Sequence, residues 1–112
     1  MDLTSTQFDK VQVVTVNAAR IDAAVAIRFK DIMRGMTEFG PERIVLDLSQ
    51  VEFVDSSGLG AIVASMKQLG SSSKLDLAGL TPTVDKVFRL TRMDTIFAIH
   101  DSADAAVAEY TH

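Results

Sequence analysis

The sequence predicts an α/β fold: one mixed, mostly parallel β-sheet packed with about four α-helices, in a single domain spanning residues 1–112. Three observations predict it. Short β-branched or apolar runs alternate with longer segments of helical periodicity, the order expected of strands joined by helical crossovers. The run "RIVLDL" (Arg43 to Leu48) is almost continuously apolar, the pattern of a strand covered on both faces. The first two strand candidates are joined by a short stretch with a polar turn at Asp9-Lys10, so the sheet opens with an antiparallel hairpin.

The elements follow in order. Leu3 to Gln7 is a weak strand candidate, and "VQVVTV" (Val11 to Val16) a stronger one because β-branched residues fit a pleated surface. Ala23 to Phe39 reads as a helix, with Val25, Phe29, Ile32 and Met36 at helical spacing and Gly40-Pro41 as its stop. After the strand at Arg43–Leu48, a second helix runs from Ser57 to Leu69, its apolar stripe formed by Leu59, Ile62, Val63, Met66 and Leu69. Gly70 and the serines at 71 to 73 close it. "KLDLAGL" (Lys74 to Leu80) is the next strand. Pro82 opens a third helix, whose inner side carries Val84, Val87, Phe88 and Thr91. "TIFAI" (Thr95 to Ile99) reads as a short edge strand, and Asp101 to Tyr110 as a last helix with Ala103, Ala106, Val107 and Tyr110 in register.

Composition narrows the functional classes. A hydrophobic share of 47% with 23% charged residues is that of a soluble globular domain. A net charge of −4 argues against direct binding to nucleic acid, which calls for a basic face. With no cysteines there is neither a disulfide framework nor a thiolate metal site. The opening "MDLTSTQFDK" lacks the basic and apolar stretches of a signal peptide. The longest apolar region, Ile44 to Met66, is interrupted by Asp47, Glu52 and Asp55, so no membrane insertion is expected. A cytoplasmic domain is the natural reading.

The informative stretch is "VEFVDSSGLGAIVASMKQLG" (Val51 to Gly70), where an apolar run stops at Asp55, gives Ser56, Ser57 and Gly58, and resumes with helical periodicity. Helix capping accounts for part of this, because an Asp or Ser oxygen accepts a bond from an otherwise unpaired N–H. Yet one capping group suffices, and here three polar side chains precede the glycine. A hydroxyl at this position also suits a phosphate, since helix-start N–H groups and the dipole favour an anion by about 0.3–1 kcal/mol. Gly58 fits either reading, by letting another backbone approach the serines or by close packing of helix on sheet.

The run from "FVDSSGLG" through "LAGLTPTVDKVFRLTRMDTIF" resembles the STAS-domain anti-sigma-factor antagonists of bacterial partner-switching systems. Asp55-Ser56-Ser57-Gly58-Leu59-Gly60 matches that family's D-S-S/T-G-L-G motif at every position, and the likeness continues upstream through "PERIVLDLSQVEFVD" to Ile21-Asp22. The resemblance implies a STAS-type domain that works as a switch. Ser56 would be the phosphoacceptor of a partner that is both anti-sigma factor and serine protein kinase, with a PP2C-type phosphatase reversing the modification. The unmodified domain would bind the anti-sigma factor and free a sigma factor. Asp22, Asp55, Ser57, Gly58 and Leu59 would lie in the partner-binding area. One departure falls on the loop that would face the kinase: "ARID" (Ala19 to Asp22) stands where the family usually has G-E-L-D, so Arg20 replaces an acidic side chain, and Val25 replaces a hydroxyl. The same resemblance extends to STAS modules of biofilm partner switches and of lipid-transport permease complexes, which also act by binding proteins.

Other chemistry finds little support. His100 and His112 are the only histidines and lack a ligand-type neighbourhood in sequence, so no metal is expected. No histidine lies near Ser56 in sequence to serve as the base that a nucleophilic serine needs. "SSGLG" has too few glycines and no following lysine for a nucleotide-phosphate loop, so no cofactor is expected and the chain is not read as an enzyme.

Overall fold

The computed structural model describes residues 1–111. The opening hairpin pairs β1 (Leu3–Phe8) with β2 (Val11–Val16), from Leu3 opposite Val16 to Phe8 opposite Val11. Its two-residue turn puts Asp9 at φ 53°, a left-handed conformation that aspartate tolerates better than most residues. β4 (Arg43–Asp47), β6 (Lys74–Ala78) and β7 (Ile99–His100) then add in parallel, giving the order β1-β2-β4-β6-β7. A separate two-stranded parallel ribbon joins β3 (Arg20–Ile21) to β5 (Phe53–Val54). Among the described residues four helices complete the fold: α1 (Ala26–Thr37), α2 (Ser56–Gln68), α3 (Pro82–Leu90) and α4 (Ala103–Tyr110).

Strand periodicity divides the core between the two faces of the sheet. On one face Val14, Val16, Ile44, Leu46, Leu75 and Leu77 pack with Phe29 and Met33 of α1, Ala61 and Ile62 of α2, and Val84 and Phe88 of α3. On the other, Val11, Val13, Val45 and Ala78 make a smaller cluster with Ala106 of α4. Burial on both faces is why "RIVLDL" carries so little polarity.

The structure corrects several expected boundaries. The first helix begins at Ala26 instead of Ala23, because residues 22–25 form a turn: the Asp22 carbonyl accepts from Val25 N–H at 3.1 Å, and its carboxylate from Ala24 N–H at 3.1 Å. Its buried stripe is Ala26, Phe29, Met33 and Thr37, with Val25, Ile32 and Met36 at the half-buried margin. The α2 stripe is likewise centred on Gly58, Ala61, Ile62 and Ser65, with Leu59, Val63, Met66 and Leu69 flanking it. "TIFAI" is not a strand. A 3₁₀ turn at Met93–Thr95, entered through Arg92 at φ 64°, swings Phe97 into the core edge-on to Phe88, with ring centroids 6.5 Å apart. Only Ile99 and His100 pair with β6. The last helix starts at Ala103, capped by the Ser102 hydroxyl, which accepts from Ala105 N–H at 3.0 Å. His112 lies outside the described residues.

Candidate functional site

The serine pair opens α2, the helix that leaves β5. Asp55 is its N-cap in extended conformation, with Oδ1 accepting from Gly58 N–H at 2.8 Å and its carbonyl from Leu59 N–H at 2.9 Å. Ser56 and Ser57 are therefore the first two helical residues, and both are exposed. Among the described residues, neither hydroxyl has a hydrogen-bond partner, and neither backbone N–H has an acceptor. The first turn of a helix always leaves such donors. The aspartate takes up one of them and leaves the serine oxygens free.

The second oxygen of Asp55 reaches across the chain. Oδ2 accepts from Ala23 N–H at 3.1 Å, while Asp55 N–H donates to the Ile21 carbonyl at 3.4 Å. Gly58 is buried against that same carbonyl: an ideal Cβ at position 58 would stand 1.9 Å from Ile21 O. The β3–β5 register, Arg20 opposite Phe53 and Ile21 opposite Val54, carries the same alignment back into the ribbon. Thr81 adds a further tie, its hydroxyl donating to the Val51 carbonyl at 2.8 Å. The serines thus stand on a junction fixed from several directions.

The structure brings the expected site residues into one region while burying them to different depths. Ser56 and Ser57 are exposed, Asp22, Asp55 and Leu59 are half-buried, and Gly58 is buried. Asp22 closes its own turn on Ala24 and pairs with Arg20, Nε to Oδ2, at 3.2 Å. The Arg20 guanidinium also lies over the Phe53 ring, 4.3 Å from its centroid, within cation–π range. Phe53, partly exposed, and the Ala23 amide are site members that the sequence reading did not single out. Their role comes from the short β3–β5 ribbon, and two-residue strands leave no periodicity to read.

Among the described residues, no group of three histidine, aspartate or glutamate side chains is placed to hold a metal ion, and no helix is long and apolar enough to cross a membrane.

Exposed hydroxyls at the mouth of a capped helix, on a five-stranded sheet of this order, define a class. The STAS domain model matches residues 3–106, and the chain belongs to that family. Over 111 residues it is 28% identical to BtrV of Bordetella bronchiseptica, a protein assigned as an anti-sigma factor antagonist, covering 98% of this chain and 95% of that one. Among solved structures it is similar to an anti-sigma factor antagonist from Mycobacterium paratuberculosis, at 26% identity and a TM-score of 0.87 over 99% of this chain and 94% of the other. A Thermotoga maritima protein likewise assigned gives 29% identity and a TM-score of 0.83, over 98% and 95%.

Proposed function

We propose that this chain is an anti-sigma factor antagonist switched by phosphorylation at Ser56. In its unmodified form it binds an anti-sigma factor that is also a serine kinase, and a sigma factor is released. Phosphorylation by that kinase ends the binding, and a PP2C-type phosphatase restores it. Ser57, Leu59 and the carboxylate edges of Asp22 and Asp55 supply the docking area, with Gly58 holding the serines at the surface from beneath.

The observation that carries this reading is the exposure of Ser56 at the first position of a helix whose cap is made by another residue. A phosphate there brings roughly −1.5 to −2 charges. It meets free N–H groups and the positive end of the helix dipole, worth about 0.3–1 kcal/mol to an anion. Among the described residues, no bond that holds the fold uses the Ser56 hydroxyl, so the modified domain stays folded. A docked partner faces the opposite balance. Its surface has to desolvate the new charge beside Asp55, and like-charge juxtaposition at an interface costs several kcal/mol. About 4 kcal/mol is close to a thousandfold in affinity. One group is almost neutral for stability and decisive for binding.

The test is incubation of the domain with ATP and a candidate anti-sigma kinase, followed by mapping of the modified residue. A single phosphate on Ser56, removed by a PP2C-type phosphatase, is the expected outcome. A phosphate placed reproducibly elsewhere, or a Ser56→Ala variant modified as fast as the parent, overturns the site assignment.

A further inference from the structure

Away from the serines, α4 is held to its face of the sheet by an unusual polar contact. Strand alternation in "KLDLA" turns Leu75 and Leu77 into the main core and Asp76 toward α4. The Asp76 side chain is only 4% exposed. Its Oδ1 accepts from Arg43 Nη1 at 3.2 Å, while Oδ2 accepts from the Tyr110 hydroxyl at 2.5 Å and lies 2.8 Å from His100 Nε2. Tyr110, the last residue of α4, is enclosed by the same groups. The Arg43 guanidinium covers its ring at 4.2 Å from the centroid, and the His100 ring meets it edge-on at 5.7 Å. Glu109 Oε2 lies 3.5 Å from the other imidazole nitrogen.

The apolar support beneath α4 is slight by comparison. Ala106 is the helix's one buried residue, resting on Val11, Val13, Val45 and Ala78, with Ala103, Val107 and the Tyr110 ring packed against the same cluster only partly buried. Alanine buries little area, and hydrophobic stabilisation scales with area. The clasp also divides unequally. Arg43 belongs to β4 and His100 to β7, so both stay with the sheet if α4 lifts; of the three Asp76 partners only Tyr110 leaves, and Glu109 gives up its contact with His100. Asp76 then keeps two of its three partners, which avoids the heavy penalty of a buried, unpaired carboxylate.

We propose that α4 is a latch over one face of the sheet, opening and closing as a unit independently of the α1–α3 side and held shut by the Tyr110–Asp76 hydrogen bond. Its opening bares Val11, Val13, Val45 and Ala78, on the face opposite the one that carries α2.

Native-state hydrogen exchange on the full chain tests this, with the amides of Val107 to Tyr110 compared against those of β4 and the middle of α1. In the parent protein the α4 amides are expected to exchange through a local opening, at least about tenfold less protected than β4 and nearly insensitive to low denaturant. Tyr110→Phe removes one hydrogen bond to a charged group and keeps the ring. It is expected to speed α4 exchange by about tenfold to a hundredfold, whereas a main-core change, Ile62→Val, is expected to speed the globally exchanging β4 amides and leave α4 unaltered. Exchange of α4 at the β4 rate with the same denaturant dependence overturns the latch. So does a Tyr110→Phe variant that leaves the α4 rates unaltered, or an Ile62→Val variant that accelerates α4 as much as β4.

Discussion

The carbonyl oxygen of Ile21 occupies the space a side chain at Gly58 would need, 1.9 Å from an ideal Cβ. The obstacle is backbone, held in the β3–β5 ribbon, so it cannot swing aside as a flexible side chain would. Gly58→Ala is therefore expected to destabilise the domain by about 1–3 kcal/mol through forced displacement. The ordinary helix preference of alanine, about 1 kcal/mol, offsets only part of this. Denaturant melts measure the net loss, and an unchanged or raised midpoint contradicts the packing assigned here.

Asp55 makes two bonds with one carboxylate, to Gly58 N–H and to Ala23 N–H. Asp55→Ala is expected to cost about 0.5–2 kcal/mol as a lost cap. It should also move the amide resonances of both Gly58 and Ala23, two segments far apart in sequence. Asp55→Asn keeps one side-chain acceptor and should fall between. Perturbation confined to the start of α2 contradicts the tie to the β3–α1 turn.

Ser56→Ala removes a hydroxyl that no described residue engages, and its stability should stay within about 0.5 kcal/mol of the parent, as for other exposed positions. Phosphoserine incorporated at position 56 should likewise leave the melting temperature nearly unchanged. Calorimetry of the three forms checks both statements. A modified form that unfolds well below the others makes phosphorylation a folding switch instead of a docking switch.

Tyr110 is the only tyrosine and there is no tryptophan, so its ultraviolet absorbance reports on the clasp alone. Burial first, then the hydrogen bond to Asp76 and that carboxylate's charge, push its ionisation from the usual 10 up to about 12, with Glu109 adding slightly and Arg43 opposing. His100 edges the same ring. The sign follows: the folded state favours the neutral phenol. The stability it contributes is full below pH 10 and is lost as pH rises through about 12. An alkaline titration should show the raised midpoint, and Asp76→Asn should bring it part of the way back, because burial remains. A midpoint near 10 in the parent contradicts a docked Tyr110.

What the sequence revealed depended on how local the causes were. "VQVVTV" and "RIVLDL" became β2 and β4 because a pleated strand writes its environment into consecutive residues. Asp55-Ser56-Ser57-Gly58 was legible as a helix start because capping acts over three residues. Long-range contacts were not legible. The stop of Gly58 against Ile21 and the bond from Ala23 to Asp55 cross more than thirty positions. The aspartate of "KLDLA" carries no local sign of its role, since its partners Arg43, His100 and Tyr110 come from other elements. "TIFAI" misled for a related reason: its short apolar run serves the burial of Phe97 after a 3₁₀ turn, and of its residues only Ile99 pairs with β6.

The most direct measurement is the affinity of an anti-sigma factor for two preparations of this domain that differ only by a phosphate on Ser56, each first shown by amide spectra to be folded. The account predicts overlapping spectra away from residues 55–59 and binding weakened by about a thousandfold in the phosphorylated form. Equal affinity of the two folded forms would contradict it.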